Sequence, residues 1–248
     1  MSKDIPSKYE IECSISELFN KAREIDRIAL WRATIPTDPV IDKHAEKEGK
    51  RAVTYAPWNE WRELKSFIWS FEDLLKKSSD DQALQVRIMM VLYCHVFEAD
   101  FPLAVIWNLM RVISGQGESW TFIGKDRKGK PLVCEYPSQK VREIKRISDE
   151  IGLNLGNVIN KLWNDDLRNS FSHSQYFISD YEILFSKNLS PISRKPHDVM
   201  PRLATLQIEE LKNLYDGVYS LFEVFEREYR NIYNYVTLQN HRLHQDRS

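Results

Sequence analysis

Glycine and proline are scarce, 8 and 10 among 248 residues. So few turn formers argue against many short strands and for long helices. Cysteine is scarcer still. Cys13, Cys94 and Cys134 stand far apart without a Cys-x-x-Cys pair. An odd, sparse set of thiols points to a reducing compartment and offers no structural zinc spacing. A charge excess is also missing, with 35 Lys plus Arg against 36 Asp plus Glu. That balance excludes broad electrostatic capture of a long duplex, though not a small nucleic-acid site. No apolar run is long enough to cross a bilayer. The best two, 88–97 and 101–110, are short and interrupted by His95 and Asn108. The first eight residues are polar and lack the apolar stretch of a signal peptide. No membrane partner is expected, and the cytoplasm is the simplest address. There is no Gly-x-Ser-x-Gly elbow and no Gly-rich phosphate loop, which sets hydrolase and nucleotide-kinase chemistry aside. His44 with Glu46 and Glu48 reads as a polar loop rather than a ligand triad, so neither metal nor cofactor is expected.

What the chain has is helical periodicity. Hydrophobic residues make up 42% and charged residues 29%, the balance of an ordinary globular protein. Ser14 and Glu17 suggest a capping box ahead of Ile15, Leu18, Phe19, Ala22, Ile25 and Ile28. Residues 33–56 read as a connection. Pro57 is suited to open a helix striped by Trp61, Leu64, Ile68, Phe71 and Leu75. Asp80-Asp81 opens the next, and Asp100 caps another that ends at Gly115; both are apolar around much of their circumference and are expected at the centre. Two β-prone runs within 120–136, around a Gly-bearing polar stretch, predict a β-hairpin. Ser138 is expected to cap a helix closed by Gly152, and Asn154 a helix leading straight into Arg168. Residues 176–178 and 181–185 read as strands, and 186–204 as a loop. A final helix carries Leu211, Leu214, Val218, Phe222, Phe225, Tyr229 and Ile232 before a polar, frayed tail. The expected fold is mainly α, a helical bundle or array with one or two small β-hairpin excursions. It divides as a helical extension over 1–79, a helical domain over 80–236 and a polar tail over 237–248.

One segment has legible chemistry: Arg168-Asn169-Ser170-Phe171-Ser172-His173. On a helix Asn169 and His173 lie roughly 40° apart and share a face, while Arg168 and His173 lie roughly 140° apart. A long Arg stem can curl toward a common ligand, or a regular site can be made across two chains. Histidine exchanges protons near neutral pH. Arginine holds two phosphate oxygens at once and offsets charge that grows in a phosphorane-like transition state. Asparagine can orient either. RNA brings its own nucleophile, the 2′-hydroxyl.

Arg168, Asn169 and His173, with four residues between Arg and His, resemble the Arg-x4-His signature of the HEPN family, in which Asn commonly follows the Arg. The resemblance implies a helical bundle and a metal-independent endoribonuclease. It implies a homodimer with the two motifs facing each other, in a toxin–antitoxin, phage-defence or RNA-processing setting with an antitoxin protein as partner. By carry-over, Arg168 would stabilise transition-state charge, His173 would transfer protons and Asn169 would position them. It leaves the first 80 residues unaccounted for.

Plainer readings stand beside these. Arg168 could pair with Asp165 three residues back, and His173 could cap helix-terminal carbonyls; the chain would then be a non-catalytic binding or scaffold protein. The tryptophans, Trp58 and Trp61 among them, read as core rather than base-stacking platforms, with Trp120 the least clear. His95 reads as a hydrogen-bonded core residue. Residues 125–146 carry eight cations against Asp126, Glu135 and Glu143. They read either as an RNA-backbone contact or, more plainly, as a solvated hairpin tip and helix face.

Overall fold

A computed structural model describes residues 4–35, 57–125, 128–187 and 202–245. In chain order they form α1 (Lys8–Arg23), α2 (Arg27–Thr34), α3 (Pro57–Lys77), α4 (Gln82–Glu98), α5 (Asp100–Ile113), β1 (Ile123–Lys125), β2 (Pro131–Val133), α6 (Pro137–Glu150), α7 (Leu155–Leu162), α8 (Asp165–Ser172), β3 (Tyr176–Ile178), β4 (Glu182–Lys187), β5 (Arg202–Gln207) and α9 (Ile208–Gln245). The fold is mainly α, with small antiparallel excursions: the hairpin β1–β2 and the sheet β3–β4–β5.

The helices pack around α5. Eleven of its fourteen residues are buried, among them Phe101, Trp107 and Met110. α1, α2, α3 and α6 lie against it, and α9 packs on α1, α2 and α4. Trp61 of α3 is fully buried, with ring centroids 5.7 Å from Phe101, 5.1 Å from Phe222 and 5.3 Å from Phe225. Its indole N–H donates to Glu226 at 3.0 Å, so this buried ring is also satisfied as a donor. A single hydrophobic core runs from Ile11 to Val236, and α1–α3 contribute to it directly. Among the described residues no single helix is long and apolar enough to cross a membrane. α4 and α5 would reach that length only together, and they are bent by 43°.

Helix starts and stops follow capping chemistry, not always where the sequence suggests it. Ser7, not Ser14, caps α1, accepting from the Glu10 N–H at 3.2 Å. Ser14 lies buried mid-helix. Ile25 and Ile28 fall beyond α1, because Asp26 starts α2 by accepting from Ile28 at 2.9 Å and Ala29 at 3.2 Å. The expected connection therefore begins after Thr34, and 36–56, with His44, Glu46 and Glu48, lie outside the described residues. Asp81 caps α4 as expected, accepting from Leu84 at 2.9 Å. Asp100 is the first residue of α5 rather than its cap, and its N–H donates to Glu60 at 2.7 Å. α6 opens at Pro137, one residue before Ser138. Gly115 and Gly152 end α5 and α6 with φ of +77° and +69°, which L side chains adopt at a cost. The expected loop over 186–204 is shortened at both ends by β4 and β5; 188–201 lie outside the described residues. The polar tail is helical in its backbone through Gln245.

α6 and α7 meet closely at Gly156. A Cβ there would sit 2.6 Å from Lys145 Cα and 2.6 Å from Ser148 Cβ, neither of which can swing aside. Ser148 Oγ also accepts from the Gly156 N–H at 2.9 Å and donates to the Leu153 carbonyl at 2.8 Å. Gly156→Ala is expected to cost about 1–3 kcal/mol of stability by overpacking, read as a lowered urea midpoint with an unchanged slope.

Candidate functional site

The helix expected to run from Asn154 straight into Arg168 is broken. α7 stops at Leu162, and α8 starts at Asp165, capped by Asn164, whose side chain accepts from Leu167 at 3.0 Å. A buried tyrosine from α4 makes the break. Tyr93 Oη donates to the Leu162 carbonyl at 2.9 Å and accepts from the Asn164 N–H at 2.7 Å, satisfying one orphan group on each side. Burial pushes the Tyr93 phenol well up from its usual range, so it stays neutral.

α8 turns Leu167 and Ser170 inward, against α4 and β4. Asn169 and His173 are exposed and Arg168 is half-buried. At the far end the chain closes in a Schellman turn. Ser174 donates to the Phe171 carbonyl at 3.0 Å and Gln175 to that of Ser170 at 2.8 Å. Ser174 carries φ of +53°, a left-handed conformation that glycine usually takes. His173 occupies the C-cap, so its backbone direction is set by this strained turn. Its backbone N–H donates to the Asn169 carbonyl at 3.1 Å, and its imidazole is exposed.

The carboxylate that holds Arg168 is Glu98, at the last residue of α4, rather than Asp165. Arg168 Nε donates to Glu98 Oε1 at 2.9 Å, and Nη2 lies 2.8 Å from the same oxygen. Nη1 donates to Asn169 Oδ1 at 3.1 Å. Three of the five guanidinium N–H groups are thus engaged. Arg168 and Asn169 border a shallow depression of about 230 Å³ with Tyr136, Pro137, Ser138 and Asp165. His173 does not line it. Within one chain, then, the arginine and the asparagine are brought together, and the histidine lies outside their depression.

Glu98 lies 70 positions from Arg168 in sequence, and no local pattern could have pointed to it. His95, one turn earlier on α4, departs from expectation. It is exposed and stacks on Phe67 with centroids 4.2 Å apart. It lies on the face of α4 that also exposes Arg87 and Glu98, opposite the buried Met90, Tyr93 and Phe97. His95 and Glu98 border a larger open cavity of about 530 Å³ with Glu60, Glu63 and Phe67.

The tryptophans are largely core, as expected. Trp61, Trp107 and Trp163 are buried; Trp120 donates to the Arg32 carbonyl at 3.3 Å; Trp69 is exposed; and the Trp58 side chain lies outside the described residues. Among the described residues no three His, Cys, Asp or Glu side chains converge to hold a metal ion. No family model, curated protein or solved structure matches the chain.

Cys94 sits beside this site, buried on α4. Burial, with Glu98 adding and Arg168 opposing, pushes its thiol from 9.0 up to about 12. A raised thiol favours the folded chain below its unfolded pKa and loses that preference as pH rises. Stability is therefore expected to fall as pH climbs from about 9 toward 12. In the native protein at pH 8 a thiol reagent should label the exposed Cys13 and leave Cys94 unmodified until denaturant is added; mass mapping of the labelled peptides checks this.

Proposed function

We propose that the chain is an endoribonuclease of HEPN type that acts on RNA as a homodimer. One observation carries this reading. The Arg168 guanidinium and Asn169 amide, hydrogen-bonded together, border an open depression, and the exposed His173 imidazole ends the same eight-residue helix. The Asn169 contact and the Glu98 pair aim the guanidinium, and two of its N–H groups remain for phosphate oxygens.

The reaction follows from what these groups can do. The 2′-oxygen of the substrate attacks the adjacent phosphorus, the O2′–P bond forms and the P–O5′ bond breaks. A proton leaves the 2′-hydroxyl and another reaches the departing 5′-oxygen. Arg168 offsets the charge gathering on the non-bridging oxygens. One histidine cannot be base and acid at the same moment, whereas two copies of the chain supply two. A two-fold pairing of the α8 faces would also bring the His173 of one copy toward the Arg168 depression of the other, which a single chain does not do. A toxin or defence effector restrained by an antitoxin protein is the setting that the resemblance supplies.

The second reading is a non-catalytic helical binding protein. The grip of Glu98 on Arg168 favours it, since it gives the cation a structural role.

With chelator present, the purified chain is expected to cleave single-stranded RNA to products ending in a 2′,3′-cyclic phosphate. His173→Ala should lower the rate by about 10²–10⁴-fold while the thermal melt is unchanged, because the side chain is exposed. RNA left intact at every protein concentration would favour the second reading.

A further inference from the structure

The depression at Arg168 does not stand alone. Its wall is the first turn of α6, where Pro137 and Ser138 line it together with the preceding Tyr136. The next residue, Gln139, lines a second depression of about 320 Å³, between α6 and the β1–β2 hairpin. Successive helix residues point about 100° apart, so the two hollows flank the first turn of α6 from adjoining sides. Arg142 and Arg146 extend the second hollow along the α6 face, and Lys125 enters from β1. At the seam stands Tyr136, 59% exposed despite its apolar ring.

The charge in the second hollow is uneven. Its carboxylate, Glu143, is buried and already taken by Arg146, through Nε at 2.9 Å and Nη2 at 2.5 Å. Arg146 also pairs with Glu150. Lys140, on the neighbouring face, is buried against Asp100. Lys145 pairs with Asp149 at 2.6 Å. Lys125 and Arg142 are different. Both are exposed, and among the described residues neither is in an ion pair. Of the three cations that line this hollow, Arg146 is neutralised within α6, and Lys125 and Arg142 are left open.

We propose that this second hollow is a phosphate subsite for single-stranded RNA. In it Lys125 and Arg142 hold the backbone of the strand whose neighbouring nucleotide lies at Arg168, and Tyr136 stacks a base between them. The chemistry fits an extended single strand. Two cations and an aromatic ring placed along a groove recognise backbone charge and a base face without reading sequence. Gly124 shapes the floor, since a Cβ there would lie 2.8 Å from Cys134 Sγ and 3.3 Å from Glu143 Oε2. The proposal rests on the ribonuclease reading for its substrate, and it can be tested apart from catalysis.

Binding is measured by fluorescence anisotropy of a labelled single-stranded RNA on the full chain carrying His173→Ala, so that cleavage plays no part. Lys125→Gln with Arg142→Gln is expected to weaken binding about fivefold at low salt and to lower the salt slope by about 1.4, at 0.7 per phosphate contact. Tyr136→Ala should weaken it about tenfold through lost stacking. All three side chains are exposed, and an unchanged melt confirms folding. Affinity and slope left unchanged by the double substitution overturn the subsite, as does capture of anionic phospholipid vesicles with no binding of RNA. Cleavage by the unsubstituted chain alongside unchanged binding sinks the subsite alone. Substitution-sensitive binding without cleavage supports the subsite and sinks the nuclease alone.

Discussion

A helix with almost no exposed face has to be surrounded, and α5 is such a helix. Its apolar side chains leave water only if neighbours cover it on several sides at once. α1, α2, α3 and α6 do so, and α4 and α9 close the core beyond them. The one amide inside this apolar helix, Asn108, accepts from the Ser119 N–H at 2.8 Å and so ties the following loop back onto α5. Everything peripheral, including the β1–β2 hairpin and the α7–α8 elbow, is hung on that wrapped centre.

The candidate site lies where the wrapping ends. The last turn of α4 emerges from the core with His95 and Glu98 facing outward, and α8 crosses beside it. The Arg168–Glu98 pair is partly open to solvent, with side chains 25% and 40% exposed. A pair this exposed adds little to stability. Its effect is directional: it fixes the guanidinium edge that faces Glu98 and leaves the rest of the group turned to the surface. A buried pair would hold the arginine too firmly to serve a ligand, and an unpaired one would leave a long, mobile stem.

Much of this was legible in the residues. Pro57, Asp81 and Gly152 mark helix ends by local chemistry, and the three-and-four spacing of Leu211 through Ile232 needs no partner to be read. The hairpin around 124–130 was equally local. The misreadings differ in cause: one turns on a nearby alternative, the others on a contact far away in sequence. Ser14 looks like a cap until Ser7 is seen to start the helix earlier. The break between α7 and α8 depends on Tyr93, about seventy residues upstream. His95 was assigned to the core because its neighbours are apolar, yet it lies exposed at the edge of the contact between α3 and α4, its ring beside Phe67. Arg168, Asn169 and His173 could be named from spacing alone. Glu98 could not, because ion pairing between elements leaves no periodic trace, whereas the carboxylates that occupy Arg146 stand three and four residues away within α6 and follow helical spacing.

Tyr93 and Glu98 belong to the same helix, and this has a mechanical consequence. The phenol sets the elbow from which α8 departs, and the carboxylate restrains the cation that α8 carries. The bearing of the short helix and the hold on its arginine therefore both rest on α4 and share that helix's placement in the core.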